Sequence, residues 1–407
     1  MLKIGIVGCG LQAATIASYV GVYNDAYEVC AVADYDWANA KSRMAEKSVR
    51  VAEDCKFYKD VDEFVAANPQ LDGIIIGTFC TYHTEVACKL EKLGIPLYIE
   101  KPVAVSVEQL EKLYNTFKNS TTPIEVSLPM RLCPLTQRAK QLIDSGLVGP
   151  IHQVVGYEDT PGAIYFSTWF RDDEKTGGMF MQKAVHDIDY MFYLAGSKPV
   201  QVCAMRGKTF HKGDKPYEMT CAECPDKDTC ERGPLRSFRE GGIANSVAEA
   251  EQALSMRMNP DGKVGRKIYC IFSKDIAIED IGEVIFRMDN GAQICHTQNF
   301  IARAHASRRG ARFCGSNGTL EIDFNHGKLM FYSHINGSMD TYQVDPGKLS
   351  HYGGDRELVW DFIQTMKTGK RARTDLIAGD GVMSTLACLK ARESADTAQF
   401  LSVGLDQ

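Results

Sequence analysis

The chain has 407 residues, 44% of them apolar and 24% charged, with a formal net charge of −6. Such a length exceeds one ordinary domain and suits two, and the balance is that of a globular protein with a sizeable core. An acidic chain without a basic tract excludes nucleic acid as an expected partner; no apolar run is long enough to span a bilayer, and the opening Met-Leu-Lys does not read as a secretory leader. Fourteen cysteines, most placed singly in apolar segments like those of Cys30, Cys88, Cys270 and Cys388, fit buried thiols in a reducing cytoplasm.

The first stretch carries the strongest signal. Lys3-Ile4-Gly5-Ile6-Val7 reads as a buried strand and runs into Gly8, Gly10 and Ala13 at G-x-G-x-x-A spacing. Gly8 allows the tight turn, Gly10 lets a pyrophosphate approach the backbone, and Ala13 lets the next helix pack closely. That helix starts near Leu11, so the free amides of its first turn, at Leu11 and Gln12, point at the phosphates. A second apolar run, 28–33, ends in Asp34, whose carboxylate suits the hydroxyls of an adenosine ribose and repels a 2′-phosphate. No arginine follows in Tyr35-Asp36-Trp37, so NAD is favoured over NADP unless Lys41 or Arg43 folds back.

The pattern continues with a helix over 37–47, a short strand at 57–58, a helix over 61–67 and a fully apolar strand over 71–77, the mark of a sheet buried on both faces. The strand-to-helix loop from Thr78 to His83 lies where open parallel sheets hold ligands. His83 either faces a cofactor or caps the helix over 84–93. The next strand, 96–99, delivers Glu100-Lys101-Pro102 to the same sheet edge. A charged pair beside a low-dielectric crevice reads as functional, the alternative being a surface ion pair at a turn proline.

The glycine loop, the Thr78–His83 loop, Glu100-Lys101-Pro102 and a later His186-Asp187-Ile188-Asp189 together resemble the Gfo/Idh/MocA family of NAD(P)-dependent oxidoreductases. The resemblance implies an α/β Rossmann domain over 1–130. After it comes an α+β domain over 131–407, whose large open, mostly antiparallel sheet binds substrate and joins subunits into a homodimer or homotetramer. It also implies hydride transfer between NAD and a secondary hydroxyl or keto group of a sugar, sugar derivative or cyclitol. Lys101, His186 and Lys183 are then the catalytic candidates. Gly8, Gly10, Leu11, Gln12, Asp34, Thr78, His83, Glu100 and Lys101 would bind cofactor, and Arg131, Trp169, Gln182, Asp189 and His351 would bind substrate. Two other outcomes stay open: a lyase or glycosidase that uses retained NAD transiently, and a non-catalytic regulator. The chain departs from the family at Phe79-Cys80, where Pro-Asn is usual, and at Gln182, where the better-known dehydrogenases carry an aspartate four residues before the histidine.

Further along, a helix over 103–118, a strand over 124–128 and an amphipathic helix over 135–145 precede an alternating strand at 151–157. A helix over 182–194 would set Gln182, His186 and Tyr190 on one face, with His186 acting in the cleft or holding a structural hydrogen bond. A strand pair is expected over 200–210. Cys221, Cys224 and Cys230, in a polar insert near 211–232, have the C-x2-C-x5-C spacing of half a zinc knuckle, with His211 or Cys203 as fourth ligand; a disulfide and free thiols compete with that reading. Strands at 267–272, 283–288, 292–300, 312–315, 319–323 and 328–332, separated by Asn-Gly-type turns, predict an antiparallel meander. Arg308-Arg309-Gly310 is read as a turn that binds a partner or, more commonly for such a run, as a solvated corner. Helices over 356–367 and 375–395 close the chain; before the first of them, His351-Tyr352-Gly353-Gly354-Asp355 resembles a family element that points a histidine and an aspartate back at substrate, or Asp355 merely caps the helix.

Overall fold

A computed structural model describes residues 1–24, 26–227, 229–240, 242, 244–254, 267–345 and 350–405. The first sheet is built from β1 (Leu2–Val7), β2 (Tyr27–Ala33), β3 (Val51–Tyr58), β4 (Gly73–Ile76), β5 (Leu97–Ile99) and β6 (Ile124–Val126), in the order β3-β2-β1-β4-β5-β6. Every pair is parallel. The strand order reverses between β1 and β4, which opens a crevice beyond their carboxyl ends. All four residues of β4 are buried, as its unbroken apolar run requires when helices cover both faces.

Two boundaries shift for local reasons. The helix expected over 103–118 is Val107–Phe117, because Ser106 caps it by accepting the Gln109 N–H. The last long helix is Gly381–Thr397 instead of 375–395, because the Asp375 carboxylate takes the amides of Ile377 and Ala378 and turns the chain there.

The second sheet has nine strands. They are β7 (Ile151–Asp159), β8 (Pro199–Gly207), β9 (Ile281–Met288), β10 (Gln293–Asn299), β11 (Arg308–Gly315), β12 (Gly318–Asp323), β13 (Lys328–Ser333), β14 (Met339–Gln343) and β15 (Leu401–Ser402). Their order is β14-β13-β12-β11-β7-β10-β9-β8-β15. Only the β7–β10 pairing is parallel. One face packs under the helices Val185–Ala195 and Gly381–Thr397. The other is open, and Val155, Ile285 and Met205 are exposed on it. The strand expected at 267–272 reduces to a single antiparallel bridge between Tyr269 and Thr220. Arg308-Arg309-Gly310 is not a corner but the start of β11, which buries Arg309.

The helix Gly354–Thr368 crosses the expected division at 130. Its Leu358, Val359, Phe362 and Ile363 share one core with Ile4, Ile6, Ala13 and Tyr98, so it roofs the first sheet beside the helix Leu11–Tyr23. Periodicity shows that this helix has an apolar side; it cannot say which sheet will cover that side.

Candidate active site

The crevice at the end of β1 is shaped by close backbone approach. Gly8 has φ +78°, and a Cβ there would lie 2.5 Å from the Thr78 amide nitrogen. A Cβ on Gly77 would meet the Ala13 Cβ at 2.5 Å, so helix and strand can touch only because this position is small. Gly10 precedes the helix Leu11–Tyr23, whose start no side chain caps. Its free amides therefore face the crevice with the positive end of the helix dipole.

Asp34 is buried at the end of β2, where Oδ2 accepts the Cys9 N–H at 2.8 Å and Oδ1 the Asp36 N–H at 2.9 Å. Burial pushes this carboxyl up, and the two amides and Arg43 oppose the shift. Arg43 is itself buried and donates to the Cys9 carbonyl at 2.8 Å, while the Lys41 ammonium sits 4.6 Å from the centre of the Phe57 ring. Both cations that could have folded back onto a 2′-phosphate thus have other partners. The Thr78 hydroxyl and Glu100 Oε1 are buried with no hydrogen bond. Unfilled polar atoms, uncapped amides and a carboxylate at the end of β2 together fit a dinucleotide with a free 2′-hydroxyl.

His83 departs from the expected cofactor role. Nδ1 lies 2.7 Å from the Pro102 carbonyl and Nε2 2.9 Å from that of Thr78. Burial draws its pKa down to about 4, so the ring is neutral and has one N–H for two carbonyls. It braces the 78–83 loop against Glu100-Lys101-Pro102. Lys101 reaches the domain junction instead, with Nζ donating to the Gln182 carbonyl at 2.6 Å. Burial lowers its pKa to about 8, and burial with the Asp355 charge raises Glu100 to about 8.

His186 stands opposite, 2% exposed, with Nδ1 unpartnered. Burial, then the charges of Lys101 and His351, hold its pKa well below the usual value, so the ring is neutral. The regular helix expected over 182–194 does not form. Phe180–Ala184 is a π-helical turn, followed by the α-helix Val185–Ala195. The widened turn breaks the i, i+4 alignment, a common departure at functional sites. Gln182 therefore turns from His186 and donates to the Thr176 carbonyl at 2.7 Å.

Three other expected site residues are internal. The Lys183 ammonium pairs with Glu158 at 3.0 Å, which raises its pKa against burial. Firmly protonated, it is not a base. Arg131 clasps Asp189 through two hydrogen bonds, of 2.5 and 3.0 Å, and a third reaches the Gly379 carbonyl, so its guanidinium is engaged within the second domain. Trp169 does stand at the junction, half-buried, stacked on Phe170 with centroids 4.3 Å apart and edge-on to Phe79 at 5.1 Å. Phe79 thus packs where the family usually has proline.

Beneath His186 lies a charged layer the sequence reading missed. Arg309 from β11 pairs with Asp187 at 2.7 and 2.9 Å and approaches Glu158 at 3.9 Å. Burial would raise Glu158, but Lys183 and Arg309 outweigh it and hold the carboxyl at about 2. Ligand atoms of Glu158, Asp187 and His296 lie within 4.8 Å of one another, yet two cations of the chain already neutralise the acids. A signal existed, since strand alternation puts Glu158 in the buried phase with Val154 and Gly156, and a buried acid needs a partner.

The cysteine insert forms differently from the expected knuckle. Among the described residues, Cys221, Cys224 and Cys230 do not form a set of three with all their sulfurs within 4.8 Å of one another. His211 is turned to Asp280, with Nδ1 at 3.3 Å, and stacks on Phe166, while Cys203 sits in β8 opposite Ile285. The fourth thiol near the insert is Cys270, whose pKa is raised by burial and by Cys224 and Cys230.

Comparison with known proteins agrees with this architecture. Residues 2–127 match the oxidoreductase family with an NAD-binding Rossmann fold, and residues 136–321 match the GFO/IDH/MocA C-terminal domain. The protein YteT of Bacillus subtilis (strain 168) is 24% identical over 406 residues, covering 92% of this chain and 91% of YteT. A 2,7-anhydro-N-acetylneuraminate hydratase of Escherichia coli (strain K12) is 24% identical over 217 residues, 52% of this chain and 55% of its own length. The solved structure of a levoglucosan dehydrogenase in complex with NADH superposes with a TM-score of 0.74 at 16% identity, covering 100% of both chains. The chain belongs to the Gfo/Idh/MocA family of oxidoreductases, joining its NAD-binding Rossmann domain to its C-terminal domain.

Proposed function

We propose that the protein is an NAD-dependent dehydrogenase acting on a secondary hydroxyl of a sugar, sugar derivative or cyclitol at the junction of the two domains. The observation that carries this reading is Lys101: an amine at the edge of the nucleotide crevice, with its pKa lowered to about 8 and its Nζ directed at the second domain. NAD bound in the crevice supplies the hydride acceptor. Lys101, when neutral, takes the hydroxyl proton, and the neutral His186 ring offers a second site for that proton or for the substrate oxygen. Trp169 and Phe79 wall the junction and limit water. The open face of the second sheet supports self-association, since exposed Val155, Ile285 and Met205 suit a second copy of the chain.

The pH dependence follows from the sign of the shift. Below about 8 the amine is mostly protonated and cannot act as base, so kcat/KM for oxidation should rise about tenfold per pH unit and level off above that value. Glu100 titrates in the same range, so the inflection belongs to the pair. A profile flat across this range would reject Lys101 as the base. Asp34→Ala removes the partner of the ribose hydroxyls and should weaken NAD binding roughly 10–100-fold while narrowing the preference over NADP. Titration of both nucleotides checks this; unchanged discrimination would show that Asp34 does not face the ribose.

A second reading has support in the hydratase relative, because a cofactor that is reduced and reoxidised within one turnover would assist addition or elimination next to the oxidised carbon. Assaying a sugar panel both for NADH formation and for bond cleavage separates the two. Net NADH accumulation favours the dehydrogenase.

A further inference from the structure

Near His186, the groups the chain itself supplies are arranged unexpectedly. The Gln182 amide is held by the Thr176 carbonyl and Lys183 by Glu158, so neither orients the ring. What faces it is a second imidazole, His351, with ring centroids 4.9 Å apart and planes tilted by 47°. His351 Nδ1 lies 2.9 and 3.0 Å from the two oxygens of Asp355. Asp355 is 1% exposed, whereas the His351 side chain is 25% exposed, so this pair runs from the buried site to its rim. Two consecutive non-glycine residues, His351 and Tyr352, adopt left-handed backbone with φ +45° and +55°. Tyr352 stacks on Phe324, with centroids 5.2 Å apart, and so helps hold this conformation. Strained backbone that serves only packing is rare; it concentrates where a side chain must be aimed.

The geometry points to His351, oriented by Asp355, as the relay through which the proton released in the reaction passes from His186 to solvent. Asp355 accepts the Nδ1–H of His351 and so leaves Nε2 with a lone pair. The proton that Lys101 takes from the hydroxyl passes to His186 as a Lys101 N–H bond breaks; the new N–H bond on His186 breaks in turn as one forms at His351 Nε2, and the His351 imidazolium gives the proton to water, so that Lys101 is neutral again and no electrons change hands. The carboxylate absent from position 182 is thus replaced from the helix Gly354–Thr368, through a histidine whose ring faces that of His186. His351 is a positioning and relay residue. The inference rests on the dehydrogenase reading for its kinetic part alone.

The test uses the full chain. Nitrogen-15 imidazole spectra should show His351 as the Nδ1–H tautomer in the wild type, with that preference lost in Asp355→Asn. With the best substrate, His351→Ala should lower kcat about 100-fold with KM and NAD affinity little changed, and free imidazole should restore part of the loss. An Nε2–H tautomer, a kcat equal to wild type, or a loss that imidazole leaves untouched in a folded, NAD-binding variant overturns the relay. If the wild type fails to bind NAD, the dehydrogenase reading falls, and the tautomer measurement still decides whether Asp355 orients His351.

Discussion

Replacing Lys101 with alanine is expected to lower kcat by about 10²–10⁴-fold, the range a positioned acid–base group contributes. NAD affinity should stay near wild type. The asymmetry follows from placement: the amine reaches across to the Gln182 carbonyl, away from the glycine loop and Asp34 that fit the nucleotide. Lys101→Arg should be as inactive as the alanine variant, because a guanidinium keeps the charge but does not release its proton. Steady-state kinetics beside nucleotide titration decides the matter. A variant that keeps more than a small fraction of turnover, or loses binding and turnover equally, would remove Lys101 from the chemistry.

Asp187→Ala should cost about 3–5 kcal/mol of stability, the penalty for leaving a buried charge without its partner. Arg309 is 6% exposed and donates to both oxygens of Asp187, and Glu158 at 3.9 Å is already paired with Lys183. The double replacement Asp187→Leu with Arg309→Met should recover much of the loss, since apolar groups of similar volume need no counter-charge. Urea denaturation of the three variants measures this. A loss below about 1 kcal/mol for Asp187→Ala, the level of an exposed ion pair, would mean that water reaches the layer. The prediction matters for function because the same layer carries the helix that presents His186.

The nucleotide half was legible because its signals are local. Gly8, Gly10, Ala13 and Asp34 work through backbone geometry fixed by neighbours within one strand-turn-helix unit, and a buried parallel strand such as β4 shows itself as an unbroken apolar run. Lys101 was legible for a related reason, as a charge set at the carboxyl end of an interior strand. Even the meander of the second sheet could be read from alternation and turns.

What the tertiary structure decided was the partner of each polar side chain. Arg131, Asp189 and Lys183 look like site residues in sequence, yet each is neutralised by a charge far away in the chain or on another element: Arg131 with Asp189 from the helix Val185–Ala195, and Lys183 with Glu158 from β7. Arg309 looked like a surface corner and proved to anchor a buried layer. His351 and Asp355 sit more than 160 residues after His186 and reach it only because the helix Gly354–Thr368 folds back over the first sheet. Composition and spacing determine which groups are available and which strands are buried, since those depend on the nearest few residues. Which group meets which, and therefore which keeps a free proton site, depends on long-range packing in a medium where an unpaired charge is costly, and that is written only in three dimensions.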